Sequence, residues 1–217
     1  MQIIWYGQSF FQILTQKNKE KVVKISIDPF DEKIGLKPPS LEADILLITH
    51  NHYDHNNAKA IKGSPFLISG PGEYERGGVF IRGIPAFHDN AEGKEKGEVT
   101  IYTLESEGIR ICHLGDLGQK ELTDEQLEGI GDIDILMIPV GGVYTISAKE
   151  TAKIISQIEP KIVIPMHYHI PKLKIKLEGL DKFLKVMGVK SPEILKKFSI
   201  SQKNLPTEGM KIIVLKP

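Results

Sequence analysis

Short runs of β-branched and aromatic residues, each closed by turn residues, dominate the first half of the chain. Residues 2–6, 10–15 and 21–27 read as strands, separated by Gly7-Gln8-Ser9 and Lys17-Asn18-Lys19. Asp28-Pro29 closes the third run, because proline donates nothing to a strand ladder and restricts the residue before it. Residues 31–43, with Pro38-Pro39, read as a loop. Ile45-Leu46-Leu47-Ile48 is apolar at every position, the pattern of a strand buried on both faces, and it delivers the chain into His50. A short helix is predicted over 54–62, then strands near 65–69, 78–86, 98–105 and 109–113. In the second half strands and helices alternate. Residues 133–138 and 161–164 read as buried strands flanking a helix from about 147 to 158, where Ser147 and Glu150 have the spacing of a capping box. A helix near 178–187 and a strand at 211–215 complete the pattern. Many strands with few helices predict an α+β fold of stacked layers, two sheets inside and helices outside. No repeat or linker divides residues 1–217, which are expected to form a single domain.

Composition narrows the function classes. Of 217 residues, 41% are hydrophobic and 26% charged, ordinary values for a globular protein with a sizeable core. Lys+Arg and Asp+Glu are both 28, and the absence of a basic excess argues against a nucleic-acid partner. Lys172, Lys174 and Lys176 alternate, which is the pattern of a solvated edge and also of a local patch for an anionic substrate. The single cysteine, Cys112, allows no disulfide within the chain and fits a reducing compartment. No segment approaches the ~20 apolar residues that span a bilayer, and residues 1–5 lack the pattern of an export signal. The expectation is a cytoplasmic protein without a membrane span; self-association into a homo-oligomer is left open.

The chemistry concentrates in His50-Asn51-His52-Tyr53-Asp54-His55, an H-x-H-x-D-H segment directly after the buried strand. On extended backbone, residues two apart share a face, so His50 and His52 can grip one ion together. Asp54 and His55 are adjacent and diverge, which suits a second ion. Imidazole and carboxylate are ligands for Zn, Mn or Fe. Two ions need more ligands, and His88, Asp116 and His167 each follow an apolar run, where sheet architectures place functional side chains. His113 and Cys112 lie inside the strand at 109–113 and read as buried core residues.

At these positions the chain resembles the metallo-β-lactamase superfamily, motif by motif: Asp28 ending a strand, H-x-H-x-D-H at 50–55, then His88, Asp116 after a glycine, and the late His167. The resemblance covers about residues 3–170. It implies a four-layer αββα sandwich with two mixed sheets inside. It further implies that His50, His52 and His88 hold a first divalent metal ion and Asp54, His55 and His167 a second, with Asp116 bridging. Residues 5–9, 70–75 and 139–145 look like the branch of small metal-dependent hydrolases that includes ascorbate-6-phosphate lactonase. Residues 48–55 are also similar to N-acyl-phosphatidylethanolamine phospholipase D. Gln8 stands where many relatives carry histidine.

The expected activity is hydrolysis of an ester, lactone or phosphoester in a small-molecule substrate, by a water that two metal ions, Zn first and Mn or Fe otherwise, share and activate. Asp54 and Asp116 are the expected catalytic carboxylates. Asp28 is expected to orient a ligand histidine, or else to cap the turn at Pro29. Gln8, Tyr53, Tyr144 and His169 are expected around the substrate, while Glu73 and Glu75, in a glycine-rich turn, are as well suited to a structural role. An RNA-processing nuclease of the same fold and a non-catalytic metal-binding sensor are the alternatives.

Overall fold

The computed structural model describes residues 1–18 and 21–217, so Lys19, in the expected turn at Lys17-Asn18-Lys19, lies outside the described residues. Two mixed β-sheets face each other. The first contains β1 (Gln2–Trp5), β2 (Phe11–Asn18), β3 (Lys21–Ile27), β5 (Ile45–Leu47), β7 (Phe66–Ile68) and β15 (Phe198–Ser199), in the order β15-β1-β2-β3-β5-β7. The second contains β8 (Gly72–Arg76), β9 (Val79–Phe87), β10 (Glu98–Ser106), β11 (Ile109–His113), β12 (Ile135–Pro139), β13 (Ile162–Met166), β14 (Glu193–Leu195) and β16 (Lys211–Leu215). Its order is β14-β16-β13-β12-β11-β10-β9-β8. A small pair, β4 (Leu41–Glu42) with β6 (Ile61–Lys62), sits apart.

Strand direction follows from composition. β5, β12 and β13 are buried at every position and pair in parallel, as unbroken apolar runs covered on both faces do. β9, β10 and β11 are joined as antiparallel neighbours, so β9 and β11 run the same way. The sheets close on Trp5, Phe10, Phe11 and Phe30, all at most 1% exposed. The Tyr102 hydroxyl on β10 donates to the Ile48 carbonyl beyond β5, at 3.0 Å, and ties one sheet to the other.

Three α-helices lie in the second half: α1 (Asp124–Ile130), α2 (Ala148–Ile158) and α3 (Leu180–Val186). The Ser147–Glu150 capping box at α2 is present, and Thr151, Ile154, Ile155 and Ile158 form its buried face. The α+β sandwich is as expected. β8, α1, β14, β15 and a 3-10 turn over Gln202–Asn204 went unread. The loop at 31–43 contains a 3-10 turn over Glu32–Ile34 and the strand β4. The helix expected over 54–62 does not form. Its place is taken by turns, a 3-10 turn over Ala58–Ala60, and β6. The cause is capture of its polar groups by a neighbouring segment: Asn57 donates its backbone N–H to the Pro29 carbonyl (2.8 Å) and its side-chain amide to the Phe30 carbonyl (2.9 Å). Asparagine gains more from such bonds than from a helix interior.

Candidate metal centre

Five strands end at one rim of the sandwich, and each is followed by a residue of the expected site. Asp28 follows β3, the His50–His55 segment follows β5, His88 follows β9, Asp116 follows β11 and His167 follows β13. The parallel and alternating directions described above bring these C-terminal ends together. Asp28 and His167 have φ of 50° and 51°, and Gln8 beside them has 52°. Left-handed backbone at a non-glycine residue costs on the order of 1–3 kcal/mol, and here it occurs where three side chains must aim into one space. Glycines allow close approach behind two of the expected ligands, His88 and His167. A Cβ at Gly118 would lie 2.1 Å from the His88 carbonyl oxygen, and one at Gly141 would lie 2.1 Å from that of His167.

The side chains converge in two groups. One ligand-type atom from each of His50, His52 and His88 lies within 4.8 Å of the others, and the same holds for Asp54, His55 and His167. His50, His55 and Asp116 make a third such set, which links the two. Asp116 Oδ2 lies 3.2 Å from His88 Nε2 and 3.5 Å from His167 Nε2, between one histidine of each group.

A network beneath the groups sets the ring tautomers. Asp28 is fully buried. Its Oδ1 accepts from the Thr49 backbone N–H (2.8 Å), and its Oδ2 accepts from the Thr49 hydroxyl (2.6 Å) and from His55 Nδ1 (2.8 Å). With its proton committed to Asp28, the Thr49 hydroxyl accepts from His50 Nδ1 at 3.0 Å. Protons are thereby held on Nδ1 of both His50 and His55, and each Nε2 lone pair faces the centre. His50 Nε2 then meets His52 Nδ1 at 3.1 Å. Among the described residues His55 Nε2 and Asp116 Oδ1 are buried with no hydrogen-bond partner. Buried polar atoms are rarely left so. Opposed lone pairs, orphaned donor atoms and two carboxylates fit divalent cations.

Electrostatics agree with that fit. Burial, with His55, His88 and His52 nearby, holds the His50 ring far below its usual range, and burial also lowers His88. Both rings are neutral at pH 7 and have lone pairs to give. Burial opposes ionisation of Asp54, but His55 and His167 outweigh it and hold its carboxyl far below the usual range. Burial alone would lower His55, whereas Asp54 and Asp28 carry it well above its ordinary value, so without a cation Nε2 also holds a proton, which a bound metal would displace to free the lone pair. The pocket thus attracts positive charge.

Several expected residues stand elsewhere. Gln8 does not line a cavity; it is fully buried beneath the centre, where its amide nitrogen donates to Asp54 Oδ2 (2.9 Å) and lies 2.7 Å from His167 Nε2. The turn at Gly7-Gln8 points it inward. His169 is exposed and away from the cavity, because Tyr168 takes the inward position against Trp5 at 5.1 Å. Tyr53 and Tyr144, both half-exposed, do line a cavity of about 520 Å³ over the cluster. Glu73 pairs with Arg82, and Glu75 accepts from the Gly78 N–H, so both serve the β8–β9 hairpin. His113 is a satisfied core histidine: Nε2 donates to the Ser9 carbonyl (3.1 Å) and Nδ1 accepts from the Gly115 N–H (3.1 Å). Cys112 is fully buried. Sequence reasoning missed Thr49, whose position directly before the first histidine was the available signal. It also missed Asp89, whose carboxylate gathers the N–H groups of Ala91, Gly93, Glu95 and Lys96 and shapes the loop beside His88.

Comparison with known proteins gives consistent relatives. Residues 2–167 match the beta-lactamase superfamily domain. The chain is 31% identical to a UPF0173 metal-dependent hydrolase of Thermococcus onnurineus, over 91% of this chain and 96% of that one. It is 36% identical to a Thermotoga maritima protein described as a Zn-dependent hydrolase of the metallo-beta-lactamase superfamily. That crystal structure covers 99% of this chain and 97% of its own, with a TM-score of 0.78. The short form of human tRNase Z shares the fold at 11% identity, covering 77% of this chain and 92% of its own, with a TM-score of 0.53.

Proposed function

Because this chain belongs to the metallo-β-lactamase superfamily, we propose that it is a metal-dependent hydrolase with a binuclear centre, acting on an ester, lactone or phosphoester of a small molecule. His50, His52 and His88 would hold one divalent cation, and Asp54, His55 and His167 the other. Asp116 would serve both. Zn is the first expectation for such a donor set, with Mn and Fe as alternatives. Bound there, the cations supply an activated water and polarise the bond to be cleaved.

The chain's own residues do the rest. Asp28 and Thr49 hold His55 and His50 in the tautomers that leave Nε2 free. The Gln8 amide fixes Asp54 Oδ2. Tyr53 and Tyr144 wall the cavity. The observation that carries the proposal is Asp116 Oδ2, 3.2 Å from a histidine of one group and 3.5 Å from a histidine of the other. One shared carboxylate between two three-ligand groups is an arrangement suited to a pair of ions.

The test is a panel of chromogenic phosphodiesters, lactones and thioesters, run on protein stripped of metal and reloaded with Zn, Mn or Fe. Turnover should depend on reloading and vanish in Asp116→Ala. Metal-independent turnover, or an Asp116→Ala variant at full activity with two ions, would overturn the proposal. The nuclease alternative rests on likeness of fold alone.

A further inference from the structure

The cavity above the metal cluster has a floor and a rim of opposite character. His52, Asp54, His88, Asp116 and His167 form the floor. Around the rim stand Lys33, Lys96, Lys174 and Lys176, and among the described residues Asp54 and Asp116 are the only carboxylates that line the cavity. Some lysines outside the cavity are paired with carboxylates, as Lys24 is with Glu42, Lys161 with Asp134 and Lys182 with Glu178. Among the described residues Lys33, Lys174 and Lys176 have no such partner.

These lysines rise from fixed backbone. The Lys174 N–H donates to the Ile34 carbonyl at 2.8 Å, which joins the loop of Lys174 and Lys176 to the turn that bears Lys33. The same turn is packed so tightly that a Cβ at Gly35 would lie 2.2 Å from the Lys172 carbonyl oxygen. Lys96, which lines the same cavity, ends the loop tied by Asp89 and sets its ammonium 2.6 Å from the Tyr144 carbonyl, over the Tyr144 ring. Four cations therefore surround the entrance to a floor whose carboxylates are already committed.

We propose that this rim is an anion subsite: the substrate carries a phosphate or carboxylate group, separate from the bond that is cleaved, which the lysines bind. This rests on the hydrolase reading given above. Ammonium groups act on such an anion as point charges and tolerate either group. A cavity of about 520 Å³ holds a metabolite-sized molecule, reacting bond and remote anion together.

The test titrates benzylphosphonate, phenylacetate and benzyl alcohol into the metal-loaded protein by calorimetry, for the natural chain and for Lys174→Glu/Lys176→Glu. Both anions should bind at least about tenfold more tightly than benzyl alcohol, and the variant should lose about tenfold or more for each anion. Its metal content should be unchanged, which separates the lysines from the floor. The tighter of the two anions identifies the group. Equal affinity in the variant, equal affinity for benzyl alcohol, or tighter binding of a single-stranded RNA oligomer would overturn the subsite. Anion binding that depends on the lysines, in a protein that hydrolyses none of the panel, would keep the subsite and sink the hydrolase. Hydrolysis with no preference for anions would do the reverse.

Discussion

Replacing Asp28 by asparagine isolates the charge that organises the site. Asparagine is among the residues that best tolerate left-handed backbone, so the φ of 50° at this position is no obstacle. The amide oxygen can replace Oδ1 and accept from the Thr49 backbone N–H. The amide nitrogen then occupies the place of Oδ2 and presents hydrogens to the Thr49 hydroxyl and to His55 Nδ1, both of which donate in the natural chain. His55 must move its proton to Nε2 to relieve the conflict, and that blocks the atom facing the centre. The hydroxyl of Thr49 must also turn, which weakens its hold on His50. Loss of such outer support costs about 10–100-fold in metal affinity, or about 1.4–2.7 kcal/mol. Competition with a chromogenic chelator measures that affinity, and urea unfolding of the metal-free protein measures fold stability separately. The expected stability loss is no more than about 3 kcal/mol, the scale of one hydrogen bond to a charged group. A folded Asp28→Asn protein that binds metal within about twofold of the natural chain would refute the reasoning.

Three further outcomes are expected. Gln8→Ala removes the donor on Asp54 Oδ2 and should weaken metal binding by about tenfold or more, read by the same chelator competition. Gly141→Ala forces the His167 carbonyl to shift and should destabilise the fold by about 1–3 kcal/mol in denaturant unfolding. Asp89 is buried, which would raise its carboxyl, yet four backbone N–H donors hold it down at about 2. A lowered carboxyl contributes stability that is present above the ordinary value near ~4 and lost as pH falls through about 2. Asp89→Ala should abolish that component of acid unfolding and speed hydrogen exchange across residues 90–97.

How much of this was legible depended on whether a signal was local. β3, β11 and β16 have the bounds read from sequence, because each is a run rich in β-branched residues with a polar or glycine boundary nearby. The seven clustered residues were legible for the same reason, each standing just beyond such a run. The segment after His55 was misread because its partners, the carbonyls of Pro29 and Phe30, lie more than 20 residues away in sequence. β14 and β15 are three- and two-residue strands whose pairing with β16 and β1 no local pattern encodes. α1 had a signal that went unused, the Thr123–Gln126 capping box. Gln8 and His169 were placed by proximity in sequence, whereas burial depends on which way a turn points them. Lys96 is brought to the same cavity as Lys174 only by tertiary packing. No helix among the described residues is long and apolar enough to cross a membrane.

In the proposed centre, seven residues at the ends of four strands hold two cations through one shared carboxylate. Anomalous diffraction at the metal absorption edges, on crystals of protein purified without added metal, tests it most directly. The account expects two peaks per chain, one bonded to His50, His52 and His88 and one to Asp54, His55 and His167, with Asp116 touching both. A single peak, or two peaks of which one lies away from these residues, in a preparation with full activity would contradict it.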